Sequence, residues 1–305
     1  MELRRLRYFI AVAEEGHVTR AAERLGIQQP PLSRLIQSVE RELDVQLFRR
    51  RARGVELTDA GRAFFEKSRA LLADLDHAIE TTRRTARGEQ GHISVGVTPT
   101  APFHPFVPRV FRAFRETFPM VTLTLEEAHT LELVDHLRDE KIDAAFIRTP
   151  LADPEGLTVT PVVEEPLIAA LPSGHKLARD SSRTSSVSLK DLAAETFILY
   201  GRPLGPAVYE ATIAACHAAG FSPRVQEAAR ITSTMSLVAA GLGVAVVPAS
   251  LQRMNMDGVT FRHVKGTTAL QSPINLVSRR GDPSATVRQF LLLVKKATKK
   301  LVSHQ

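Results

Sequence analysis

From Thr58 to about Gly88 the chain keeps a helical pattern without a single proline. A helix of roughly 30 residues extends roughly 45 Å, far beyond the reach of a small helical domain. Such an element cannot be absorbed into one compact core. It must pack against something else, and a second copy of itself is the simplest candidate. Phe64, Leu71, Leu75 and Ala78 fall near a seven-residue repeat along it, a seam that Ser68 and Thr82 weaken. A length of 305 residues leaves room for two or three domains.

The residues before this stretch read as three short helices and a hairpin. Leu3, Leu6, Ile10 and Ala13 follow helical spacing up to Gly16. Thr19 is placed to cap a second helix whose inner face is Ala21, Ala22 and Leu25. After Gly26, Pro30 and Pro31 suit the opening of a third helix, which buries Leu32, Leu35, Ile36, Val39 and Leu43. LFRRRARGVELT then forms a basic turn between two extended runs, bent at Gly54. This is the outline of a winged helix-turn-helix. A recognition helix presents its N-terminal residues to base edges in the major groove. Here those residues are Gln29, Pro30, Pro31, Ser33, Arg34 and Gln37, which supply donors, acceptors and a proline surface for a thymine methyl. Over residues 1–90 there are 17 Lys and Arg against 14 Asp and Glu. Positive charge is therefore local to the wing, where Arg50 and Arg53 are candidates for phosphate contacts.

After RGEQGH the pattern changes. The runs ISVGV, VTLTL, DAAFI, LIAALP, FILY, VAVVP and INLVS alternate with helix-like segments at 105–118, 130–140, 205–219 and 232–241. That alternation predicts an α/β sheet with crossover helices. Ligands of such sheets sit beyond the carboxyl ends of strands. Those ends carry Thr98 to Thr100, His129 and Thr130, Arg148 and Thr149, and Gly201 to Pro203. Two arginines, Arg148 and Arg202, among hydroxyls favour a small carboxylate. The competing reading pairs each arginine with an acid of the fold.

Composition narrows the function classes. With 44% apolar and 24% charged residues the chain is an ordinary globular protein, and its net charge of +7 favours a polyanionic partner. No apolar run approaches 18 residues and the N-terminus has no signal-peptide core, so neither a membrane span nor export is expected. A single cysteine, Cys216, leaves no disulfide framework and suits a reducing cytoplasm. An enzyme is not expected. Cys216 and His217 are consecutive on a helical pattern and do not face each other. The ten histidines form no HxxxH or HExxH pair, and no GxGxxG or GxxxxGK[ST] occurs, so neither metal nor cofactor is anticipated.

The segments LRYFIAVAEEG, TRAAERLGIQQPPLSRLIQSVERELDVQLFRR and RARGVELTDAGRAFF resemble the LysR-type transcriptional regulators, as do TARGEQG and LVAAGLGVAVVPAS. The resemblance is close from Met1 to about Gly88 and architectural beyond. One departure is Gln28, where the family often has a serine or threonine able to cap the recognition helix. The resemblance implies an α/β protein overall: an all-α winged helix-turn-helix at 1–57, a linker and dimerisation helix at 58–88, and an effector domain at 91–305. The last resembles a periplasmic binding protein, with lobe one at 91–162 and 267–305 and lobe two at 163–266. Its chain crossings fall near Val162 and Thr267. Thr98, Thr100, Thr130, Arg148, Arg202 and Pro203 are then expected at the cleft, with Ile231 and Thr232 on its far wall. The implied function is a ligand-responsive regulator binding double-stranded operator DNA as a homodimer or homotetramer, sensing a small anionic effector and contacting RNA polymerase. A solute-binding module is the alternative, but leaves the first ninety residues unexplained; an architectural DNA binder without a ligand is a third.

Overall fold

The computed structural model describes residues 1–148, 151, 154–179, 186–202, 205–265 and 270–302. The chain forms two units, Met1–Arg84 and Thr85–Gln305.

In the first unit, α1 (Leu3–Glu15) stops at Gly16, whose φ of 59° is left-handed. Helix α2 (Val18–Leu25) starts at once. The expected Thr19 cap is not used: Thr19 lies inside the helix, and His17 holds the cap position without a side-chain bond. The short connection from Gly16 forces this earlier start. Helix α3 (Gln29–Leu43) takes Pro30 and Pro31 in its first turn, where missing backbone donors cost nothing, and buries Leu32, Ile36 and Val39. Near its end the Glu40 carboxylate accepts from the N–H groups of Leu47 (2.8 Å) and Phe48 (3.1 Å), fixing where the hairpin begins. Strands β1 (Phe48–Arg51) and β2 (Gly54–Leu57) pair antiparallel. Gly54 has φ 135°, and a Cβ there would stand 2.2 Å from the Gly16 carbonyl oxygen. Val55 N–H donates to that same oxygen at 2.9 Å, so the wing is stitched to the end of α1.

Helix α4 (Asp59–Arg87) is the long element. Thr58 Oγ1 accepts from Gly61 N–H at 2.9 Å, a side-chain cap of the kind that serines and threonines supply. Phe64 leaves the expected seam: it packs in the N-terminal core, its ring 4.9 Å from that of Phe9, because it lies within the first two turns. Farther along, Leu71 and Ile79 are 49% and 42% exposed on one side of the helix.

The second unit opens with β3 (Gln90–Val97), α5 (Phe106–Thr117), β4 (Met120–Glu127), α6 (Thr130–Arg138) and β5 (Ala144–Ile147). Strand β6 (Leu157–Pro172) comes next, then β7 (Ser186–Val187), β8 (Thr196–Tyr200), α7 (Pro206–Ala218), β9 (Arg224–Ala228) and α8 (Ile231–Ala239). The chain ends through β10 (Ala245–Pro248), β11 (Val259–Val264), β12 (Gln271–Arg279) and α9 (Ala285–Val302). One sheet runs in the order β4-β3-β5-β12-β6-β11-β7, with β10 also paired to β6.

Strand β6 belongs to two halves. Its stretch from Leu157 to Pro166 pairs with β12, and from Leu167 onward it pairs with β10 and β11. The first half encloses Phe106, Phe114, Phe146 and Phe290 on one side of the sheet and Leu133, Leu137 and Ile142 on the other. In the second half, Leu167, Ala169 and Leu171 pack with Phe197 and Cys216, whereas Ile168 and Ala170 pack with Met235 and Val238. Both faces are covered, which is why LIAALP reads as an unbroken apolar run. These halves are the two lobes. The expected crossing at Thr267 lies outside the described residues.

Candidate functional site

Between the lobes lies a narrow crevice with about 60 Å³ of free space. Lobe one lines it with residues just past three strands: Thr98 to Thr100 after β3, Thr130 at the start of α6 after β4, and Arg148 after β5. Lobe two contributes Ile198 to Tyr200, Val246 to Pro248, and Ile231 and Thr234 of α8. The wall is mostly apolar; Thr98, Thr100, Thr130 and one guanidinium line it from lobe one, and Tyr200, Tyr209 and Thr234 add hydroxyls from lobe two. Thr98, Thr130 and Arg148 are each about 5% exposed.

Arg148 is held from several sides. Nη1 donates to Ser272 Oγ (3.1 Å), and Nη2 donates to the Thr100 carbonyl (3.0 Å). Nη2 also lies 2.6 Å from the Glu165 carboxylate. Glu165 in turn accepts from Ser250 N–H (2.7 Å) and Ser250 Oγ (3.0 Å). Burial pulls the Arg148 pKa down, and Glu165 works against that pull. The guanidinium therefore has its countercharge within the fold, and a ligand would meet a neutral pair rather than a spare cation. Its Nε is buried without a partner among the described residues.

At the crevice mouth the Tyr200 hydroxyl and the His129 imidazole Nδ1 are hydrogen-bonded at 3.1 Å, joining lobe two to lobe one. Burial, with Glu127 adding to it, raises the Tyr200 pKa. Neither Glu165 nor Tyr200 stands out in the sequence, where they sit inside VVEEPL and FILY. Arg202 is an exposed residue whose Nη2 meets Glu210 at 2.6 Å, and it does not line the crevice. Thr232 is exposed and is not among the residues lining the crevice; its neighbours Ile231 and Thr234 form the wall. Pro203 and Thr149 lie outside the described residues.

The first unit carries a second candidate site. Gln29, Pro30, Pro31, Arg34 and Gln37 are exposed on one side of α3, and Ser33 is half-buried beside them. Gln29 Nε2 donates to Ser33 Oγ at 2.8 Å, tying two polar side chains into one surface. Gln28 occupies the cap position and makes no cap bond. On the wing, Arg49 and Arg51 both bind Glu56. Arg50 and Arg53 are exposed and make no ion pair among the described residues.

Cys216 is fully buried, and burial pushes its thiol up to about 11, far from a reactive thiolate. Among the described residues no group of three or more His, Cys, Asp and Glu is arranged to hold a metal ion. No helix in them is long and apolar enough to cross a membrane.

Two family models match the chain. Residues 3–62 match the bacterial regulatory helix-turn-helix protein of the lysR family, and residues 86–299 match the LysR substrate binding domain. The HTH-type transcriptional regulator BudR of Raoultella terrigena is 37% identical over 292 residues, 95% of this chain and 99% of that protein. AlsR of Bacillus subtilis is 39% identical over 293 residues, 95% of this chain and 94% of its own. Among solved structures, full-length CbnR complexed with its target DNA aligns with a TM-score of 0.84 at 30% identity, covering 98% of this chain and all of that one.

Proposed function

The chain belongs to the LysR-type transcriptional regulators, and from that membership we propose how its parts divide the work. It is a ligand-responsive regulator that binds DNA. Our assignment gives operator recognition to residues 1–57, subunit pairing to the helix at 58–88, and sensing to 91–305. Gln29, Pro30, Pro31, Ser33, Arg34 and Gln37 read the major groove, and Arg50 and Arg53 grip phosphates. Two copies pair through the exposed side of α4 around Leu71 and Ile79, as a dimer or a dimer of dimers. The protein acts in the cytoplasm and passes its signal to RNA polymerase.

The effector sits in the crevice. One observation carries this reading: Thr100, Thr130 and Arg148 line a largely apolar space, and the Arg148 Nε has no partner among the described residues. These are donors, so the ligand presents an acceptor to them and an apolar body to Ile198, Val246 and Val247. The first amides of α6 add a partial positive charge beside Thr130. A small molecule with one carboxylate head meets all of these demands. Arg148 acts as a donor here, not as an unpaired cation. Free space of about 60 Å³ limits the ligand to a few heavy atoms unless the lobes open. Its binding shifts the balance between lobe arrangements and so the spacing of paired DNA-binding units.

A thermal-shift screen of short carboxylates tests the site, since a bound ligand stabilises the folded chain by mass action. The stabilising compound should bind Thr130→Val roughly tenfold more weakly, the loss of about one hydrogen bond. The DNA affinity of unliganded Thr130→Val should equal that of the parent. Full ligand affinity in this variant would move the effector elsewhere. The solute-binding alternative leaves the helix-turn-helix match at residues 3–62 without a role.

A further inference from the structure

The wing hairpin carries four arginines and one acid, and the register sorts them. Arg49 lies opposite Glu56, Arg50 opposite Val55, and Arg51 opposite Gly54. Side chains alternate along a strand, so Arg49, Arg51 and Glu56 share one face. The other face holds Phe48, Val55 and Leu57, which pack on the N-terminal core, with Arg50 at its edge. On the outer face the Glu56 carboxylate is gripped twice. Arg49 Nε donates to Oε2 and Nη2 approaches Oε1, both at 3.1 Å, while Arg51 Nε donates to Oε2 at 2.7 Å. Hydrogen bonds from Arg49 first, then Arg51, lower the Glu56 pKa to about 2, so the acid is ionised at every physiological pH.

We propose that Glu56 is an affinity-setting residue: it withholds Arg49 and Arg51 from the DNA backbone and leaves the wing's phosphate contacts to Arg50 and Arg53. The inference rests on the reading that the wing meets phosphates. The physical reason is a competition between two anions for the same donors. A phosphate approaching the outer face finds the guanidinium N–H groups already engaged, and meets a carboxylate of its own sign. The face presents one net positive charge where its two arginines alone would present two. Backbone contacts carry no sequence information. An acid that limits their number keeps a larger share of the binding free energy in the recognition helix.

The test uses the full-length protein and a fluorescein-labelled DNA duplex of arbitrary sequence, with binding monitored by anisotropy over a KCl series. Each phosphate contact contributes about −0.9 to the slope of log K against log salt. E56Q keeps the shape of the side chain and removes its charge. It should steepen the slope by about one and tighten binding about five- to tenfold near 0.1 M salt. R49A should cost less than about twofold in the parent, where its charge is engaged, and severalfold in the E56Q background. R50A and R53A should each weaken binding and flatten the slope by about one. If those two weaken binding while E56Q leaves affinity and slope unchanged, the role of Glu56 is overturned and the wing reading stands. Weaker binding by E56Q overturns it too, since Glu56 would then be orienting the arginines toward DNA. A loss in parental R49A equal to that in R50A has the same consequence. If R50A, R53A and E56Q all bind as the parent does, the wing reading itself fails and the inference with it.

Discussion

Arg148 Nη2 and the Glu165 carboxylate meet at 2.6 Å with both side chains almost wholly out of solvent. Arg148 stands just past β5 in lobe one, Glu165 on β6 near the point where the strand changes lobes, and Ser250 closes the group from lobe two. The pair thus belongs to the junction of the lobes as much as to the crevice.

Breaking this pair should be costly. Removing one member leaves the other charge buried without its partner, at about 3–5 kcal/mol. Glu165→Ala is therefore expected to lose that much stability in urea unfolding. Arg148→Ala should lose a similar amount, so weaker ligand binding by Arg148→Ala alone is poor evidence for a contact. A loss below about 1 kcal/mol in both variants would show that the junction relaxes around the vacancy.

Arg34 is exposed near the start of α3 and makes no ion pair among the described residues. As a base contact it should be worth about 1–3 kcal/mol of discrimination between operator and scrambled duplex. Arg34→Ala, titrated against both duplexes at one salt concentration, is expected to lose affinity for the operator and little for the other. Equal losses on the two would reassign Arg34 to phosphate.

Cys216 gives a prediction in pH. Its thiol is held up to about 11 in the folded chain, above its ordinary value, so the folded state binds the proton more tightly than the unfolded one. This contribution to stability is complete below the unfolded thiol's pKa and is lost as pH rises through about 11. Thiol labelling of the native protein at pH 7.5 should be slow and should accelerate only on unfolding. Rapid labelling of folded protein would mean that the α7 region opens readily.

Leu71 and Ile79 leave apolar side chains in water on α4. If a second copy covers them, charged replacements will disrupt pairing. Leu71→Glu combined with Ile79→Glu is expected to shorten the operator footprint and weaken binding at least tenfold, because two half-sites would no longer be held by one particle. Sedimentation reports the oligomer directly. A parental footprint would remove α4 as the spacer.

Parts of this architecture were open to reading and others were hidden for physical reasons. The unbroken apolar run of LIAALP, the glycine stop at Gly16 and the paired prolines Pro30 and Pro31 carry local signals that tertiary structure does not override. Strand β6 was visible only in its second half. Pro161 and Pro166 interrupt it, and a proline normally argues against a strand interior. Here both sit where the pairing is irregular or changes partner, at the bulge facing Ile274 and Asn275 and at the switch from β12 to β10. In the site, Thr98, Thr100 and Thr130 were legible because strand ends in an α/β sheet announce themselves. Arg202 comes after a strand just as Arg148 does, yet points to Glu210 in solvent; no pattern in sequence orients a side chain. Glu165 was illegible because its partners Arg148 and Ser250 are 17 and 85 residues away.

The passage of β6 from one lobe into the other has a mechanical consequence. A ribbon of hydrogen-bonded strands twists and flexes but does not stretch, so the lobes can rotate against each other and cannot draw apart. For such a lever, displacement grows with distance from the fulcrum and force grows toward it. The His129–Tyr200 contact at the crevice mouth rides the long arm, where a small rotation parts the two rings. Arg148 and Glu165 lie near the fulcrum, where the same rotation moves them little and leaves their contact whole.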